Sequence, residues 1–158
     1  NNKNNLKNSL SLTQNILYGL LSGIILYALF FIGSLLIDWL QLKDLAKDVK
    51  QLYKTFSPSS LWHYLVLFSI IIPGEEIFWR GYIQKRLDDF KLQPSLIVLL
   101  SAILYTLPML YSQNLALVIA GSFAGLVWAI LYQWKKSLPL VIVSHLVFDC
   151  ILLIILPL

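Results

Sequence analysis

Apolar and polar positions along this chain separate into long blocks rather than short periods. Residues 8–37 contain no Asp, Glu, Lys or Arg, an uncharged run of 30. A bilayer core takes about 20 apolar residues per helix, so this block predicts a transmembrane helix over residues 12–37. A secretory signal would have a shorter apolar core, about 7–15 residues, and a small-residue cleavage site. Residues 55–74 form a second uncharged run, and residues 92–134 a third, of 43 residues. The third is long enough for two spans, with the break at Ser112-Gln113-Asn114, turn formers between apolar stretches. A last span runs from Leu138 onward. The reading is an all-α, polytopic bundle of about five spans, with no repeat at solenoid spacing.

One stretch carries a helical period instead. Leu42, Leu45, Val49, Leu52, Tyr53 and Phe56 share a face, and Lys43, Lys47, Lys50 and Lys54 cover the rest with Asp44 and Asp48. This pattern predicts an amphipathic helix lying in the headgroup layer. A soluble helix packed on a loop is the alternative.

Composition sharpens the class. Apolar residues make up 58% of the 158, and charged residues 13%, against roughly 45–50% and 25% in soluble domains. A soluble domain this small leaves about a third of its surface wet and needs polar residues to cover it. The balance excludes a soluble enzyme, a disordered chain and a nucleic-acid-binding module. The partner implied is the lipid bilayer, and the net charge of +4 belongs to a topology argument. Lys3, Lys7, Lys85, Arg86, Lys91, Lys135 and Lys136 fall on one side, and only the amphipathic helix's lysines on the other. The positive-inside rule puts the N-terminus in the cytoplasm. The single cysteine, Cys150, allows no intrachain disulfide. The sequence opens on Asn1 rather than Met, so a fragment or trimmed chain is expected.

Packing signals are modest. Gly19 and Gly23 form a GxxxG in the first span, as do Gly121 and Gly125 in the fourth; small residues at this spacing let helix backbones approach closely. Trp62, His63 and Tyr64 open the second span, and an interfacial aromatic belt accounts for all three.

The informative residues are the ionisable ones inside spans, which are costly there and mark function or interior pairing. They form two groups, Glu75-Glu76-Ile77-Phe78-Trp79-Arg80 and His145-Leu146-Val147-Phe148-Asp149. Glu76 and Arg80 are four apart, acid first, the favourable order for a helical pair. Glu75 is five from Arg80 and is left free to act. His145 and Asp149 share a face, so Asp149 can accept from the imidazole, or both can aim at a common water or ion. Glu75 lies ten residues before Lys85, and His145 seven after Leu138, which at 1.5 Å per residue is about 15 Å and about 10 Å of helix. Both groups then share one half of the membrane. Three carboxylates against Arg80 and one neutral His cannot all stay ionised in a low-dielectric site. A shared proton, a protonated His145 or a bound cation is required, and each suits general acid–base or metal-assisted chemistry. The alternative is an inert salt-bridged pin between helices.

Other protease patterns fail. HExxH, GxGD and GxSG are absent. Ser144 and Cys150 as nucleophiles are disfavoured, because neighbouring helical positions point about 100° away from His145 and Asp149.

The two charged groups together resemble the CPBP family of CAAX-processing and bacteriocin-processing intramembrane proteases, also called Abi. Its motifs are EExxxR, FxxxH, and HxxxN or HxxxD. The first stands as Glu75 to Arg80, followed by Gly81-Tyr82-Ile83-Gln84, and the third as His145 to Asp149. In the second, Tyr105 matches the aromatic and Met109 occupies the place of the histidine. A thioether is no useful proton acceptor and a poor zinc partner. The resemblance implies a core domain over residues 60–158, preceded by a span and amphipathic linker over residues 1–59. It implies an endopeptidase of a bacterial cell membrane, opening to the cytosol and acting on membrane-associated peptides or proteins. Glu75 would activate water, Glu76 with Arg80 would hold the site, and His145 with Asp149 would stabilise the oxyanion. A divalent metal such as zinc on His145, Asp149 and Glu75 is a further expectation. The alternative is a catalytically impaired member acting as a scaffold or regulator of a partner. A proton-coupled transporter fragment fits poorly, because five spans lack a second half.

Overall fold

The computed structural model describes residues 10–158. Lys3 and Lys7, used in the topology argument, lie outside them. Among the described residues, five helices are long and apolar enough to cross a membrane: α1 Leu12–Trp39, α3 Leu61–Asp89, α4 Pro94–Ser112, α5 Leu115–Lys135 and α6 Leu138–Ile155. The amphipathic α2, Lys43–Phe56, lies between the first two. The all-α bundle and the five spans agree with the block pattern, and the protein is an integral, multi-pass membrane protein.

The boundaries have local causes. Ser11 caps α1 in a capping box, its hydroxyl accepting from the Gln14 amide while the Gln14 side chain accepts from the Ser11 amide. Gln113 adopts φ 53° and Asn114 accepts from the Leu117 amide at 2.9 Å. The expected break therefore falls on a left-handed residue and an N-cap. Lys136 ends α5 at φ 49°.

Two proline effects shape the site. Pro73 lacks an amide hydrogen and its ring crowds the preceding turn. The backbone just before it, Leu67–Ile71, is wound as π-helix. A second π segment, Ile77–Gln84, follows the two glutamates; such widened turns recur at functional sites. In α4 the winding tightens to 3₁₀ over Leu107–Ser112, around Pro108.

α1 packs chiefly on α6, and α4 on α5. The GxxxG expectation holds for both pairs. A Cβ on Gly23 would stand 2.7 Å from the Ser144 carbonyl oxygen, and one on Gly125 2.5 Å from the Tyr105 ring. The core gathers around Trp128, with Leu26, Tyr105, Ala124, Val141 and Phe148. Outward residues such as Leu21, Ile25, Ile32 and Phe123 are exposed and apolar, as the lipid-facing side of a bundle requires.

α3 and α5 run parallel, pinned by polar side chains at successive turns. Arg80 donates to the Gly125 carbonyl at 3.0 Å, Gln84 to the Ala129 carbonyl at 2.9 Å, and Gln133 to Asp88 at 3.1 Å. Each pair is 45 positions apart, so one register holds along the contact. Ser101 of α4 joins it by donating to the Gln84 side-chain oxygen at 3.1 Å. These bonds satisfy polar groups that have no water to turn to.

Candidate active site

Glu76 is the hub. Its Oε1 accepts from Arg80 at 3.3 Å, the pair expected from i,i+4 spacing, and both side chains have no exposed surface. The same oxygen lies 2.7 Å from His145 Nδ1. With its proton on Nδ1, His145 donates to Glu76 across the α3–α6 contact. Sequence spacing offered Asp149 as that partner, or as a second group aimed at a common water or ion. Asp149 Oδ2 stands 3.6 Å from His145 Nε2, too far for a hydrogen bond but near enough for charge to act. The difference is one of helix packing, because the α3–α6 approach brings Glu76 onto the ring.

Arg80 is held by a backbone carbonyl and two aromatic rings as well as by Glu76. Its guanidinium lies 4.5 Å from the Tyr105 ring centre and 5.6 Å from that of Trp128, and it donates to Gly125 as described. Aromatic faces attract a desolvated cation. Among the described residues, two buried side-chain polar atoms remain without a hydrogen bond, Glu76 Oε2 and Arg80 Nε.

Glu75 differs from its neighbour. It is half-buried and, among the described residues, its carboxylate makes no side-chain hydrogen bond. It lies within electrostatic reach of His145, Glu76, Asp149 and Arg80. All five charged or titratable residues singled out in the sequence therefore gather in one place. His63 is apart from them, bonded to Ser59 at 3.1 Å at the opposite end of α3.

One site residue escaped sequence reasoning. Trp128 stacks on His145, with ring centres 3.8 Å apart and planes at 23°. Its indole nitrogen donates to Ser144 at 3.3 Å, and Ser22 of α1 donates to the same hydroxyl at 2.9 Å. Ser144 thus anchors the tryptophan that orients the imidazole. No spacing within α5 links Trp128 to α6, so nothing in the sequence singled it out. Met109 packs beside the core in the 3₁₀ end of α4, its thioether over Gly121.

The donor set does not fit a metal ion. Among the described residues no three His, Cys, Asp or Glu side chains are arranged to hold one. His145 Nδ1 is already engaged by Glu76 at 2.7 Å. The zinc expectation for His145, Asp149 and Glu75 therefore finds no three-ligand site.

No curated protein and no solved structure matches the chain. The family described as type II CAAX prenyl endopeptidase Rce1-like matches residues 57–151, a stretch that contains both charged motifs. The chain belongs to this Rce1-like family, membrane proteases of the CAAX type.

Proposed function

We propose that the protein is an intramembrane endopeptidase in which Glu75 activates water to cleave a membrane-associated peptide or protein. One contrast carries the reading. Arg80 and His145 are buried and both bonded to the buried Glu76, whereas Glu75 beside them is half-buried and unbonded to other described side chains. A general base needs a free lone pair and access to water. Glu75 has the free lone pair and some exposed surface, and Glu76 has no exposed surface at all.

In this mechanism Glu75 takes a proton from water as the oxygen attacks the scissile carbonyl carbon. The carbonyl oxygen becomes an oxyanion. An imidazolium at His145, held by Glu76 and faced by Asp149, offers its Nε2 hydrogen to that charge. As the intermediate collapses, the peptide C–N bond breaks and the proton on Glu75 passes to the departing amine. Arg80 fixes Glu76 and, through it, the ring. The Lys and Arg distribution supports a cytoplasmic N-terminus and a site facing the cytosol. Residues 60–158 form the protease core in this reading, and residues 1–59 an N-terminal addition.

Met109 favours a second reading, a catalytically impaired member that regulates a membrane partner, because a thioether supplies no base where the family pattern has histidine. One assay separates the two. The full chain in detergent is given a prenylated CAAX peptide, and cleavage is followed by mass spectrometry. Cleavage that Glu75→Gln abolishes without altering the melting temperature supports the enzyme. Equal cleavage by Glu75→Gln overturns the assignment of the base, and no cleavage by either protein leaves the regulator.

A further inference from the structure

α2 roofs an apolar cavity of about 460 Å³, lined by residues that include Phe30, Gly33, Val49, Leu52, Ala120 and Leu152. These residues belong to the C-terminal half of α1, to α2, to the N-terminal half of α5 and to the end of α6. The cavity therefore sits at the end of the bundle away from Lys135 and the Glu76–His145 site. Its volume falls in the range of ligand sites, roughly 300–1,000 Å³. Its polar lining is confined to Ser34, Tyr53 and Ser57. The Tyr53 hydroxyl is already engaged, donating to the Leu152 carbonyl at 3.2 Å and accepting from the Leu158 amide at 2.9 Å. The occupant that suits such a lining is a hydrocarbon chain.

The roof adds a charge requirement. Lys43, Lys47, Lys50 and Lys54 are all exposed, and among the described residues none of them is in an ion pair. Of the two acids on α2, Asp48 is committed elsewhere: it accepts from the Leu115 amide at 2.9 Å and so caps the positive end of α5. An excess of cations thus lies on the helix whose other face closes a hydrocarbon-sized cavity. A molecule that answers both features has an apolar tail and an anionic head. Lysine stems extend along an apolar surface and place their charge at the headgroup level.

We propose that this cavity holds an acyl chain of one anionic phospholipid, whose phosphate is bound by lysines of α2. Lys43 and Lys50 flank the apolar stripe most closely by helical angle and are the principal contacts. A neutral lipid would leave the lysines without a counter-charge, and a soluble anion would leave the cavity without a tail. Gly33 supplies a means of testing the tail. It lies on the cavity wall, and a Cβ added there meets nothing within 4 Å.

The purified full chain is measured by native mass spectrometry and thermal melting with phosphatidylglycerol, phosphatidylcholine and glycerol 3-phosphate. The expected result is one phosphatidylglycerol retained per chain and a raised melting temperature, with neither effect from the other two. Lys43→Gln with Lys50→Gln weakens retention by about tenfold or more, the loss expected from two lysines near an anionic headgroup. Gly33→Phe fills the cavity and abolishes retention while helicity is unchanged; if that variant fails to fold, Ala120→Leu serves the same purpose. Equal retention of both lipids overturns the proposal, as does undiminished retention by the folded filled-cavity variant. Equal stabilisation by glycerol 3-phosphate, or a dimer that seals the cavity without lipid, also overturns it.

Discussion

Arg80 has no exposed surface, pairs with Glu76 at 3.3 Å, donates to the Gly125 carbonyl at 3.0 Å and lies against the Tyr105 ring. Arg80→Ala removes all of this at once. Breaking a buried ion pair from one side costs about 3–5 kcal/mol, because the remaining charge is stranded. The carbonyl bond and the aromatic contact add about 1 kcal/mol each. Against this, Glu76 keeps the His145 donor at 2.7 Å, which offsets part of the loss. A net cost of about 3–5 kcal/mol corresponds to a fall in melting temperature of about 10–15 °C for a chain of this size. Glu75→Ala breaks no hydrogen bond to another described side chain and removes one of three neighbouring carboxylates, so its melting temperature stays the same or rises. The double change Arg80→Ala with Glu76→Gln recovers part of the loss, because the stranded charge is gone. Thermal melts of the four proteins in one detergent test the reasoning. A fall for Glu75→Ala equal to that for Arg80→Ala, or a double variant no better than Arg80→Ala, refutes it.

The α4–α5 contact gives a second test. Gly125→Ala collides with the Tyr105 ring, which packs against Trp79, Trp128 and the Arg80 guanidinium, and should cost about 1–3 kcal/mol, a typical overpacking loss. For Gly121→Ala the three nearest atoms all belong to the flexible Met109 side chain, so it should lower the melting temperature less; the opposite order would contradict the packing. Met109→His restores a base at the place where the family pattern has one, and assistance of this kind is typically worth about 10²–10⁴-fold in rate. Peptide cleavage should rise in that variant and vanish again when Glu75→Gln is added. An unchanged rate in an already active protein would mean that position 109 is not where the deficit lies.

Much of the architecture was legible because membrane spans announce themselves in one dimension. Uncharged blocks of span length, the polar break at Ser112-Gln113-Asn114 and the period of α2 need no knowledge of neighbours. The bilayer sets the length, and the backbone must bond within each helix. The Glu76–Arg80 pair was legible for a related reason, since four residues is one helical turn. Glu75, Glu76, Arg80, His145 and Asp149 stood out because charge is rare within spans.

Tertiary structure decided which helices touch, and with that the partners. Helical spacing offered Asp149 to His145, but the approach of α6 to α3 set Glu76 at 2.7 Å and left Asp149 at 3.6 Å. The stacking of Trp128 on His145, the Tyr105 face under Arg80 and the shared register of α3 and α5 likewise join residues on different helices. The cavity beneath α2 depends on four helices at once. Periodicity reports the direction of a side chain from its own axis and carries nothing about the neighbouring axis. In a lipid environment that neighbour is chosen by close packing at small residues and by polar groups that must find partners inside the bundle.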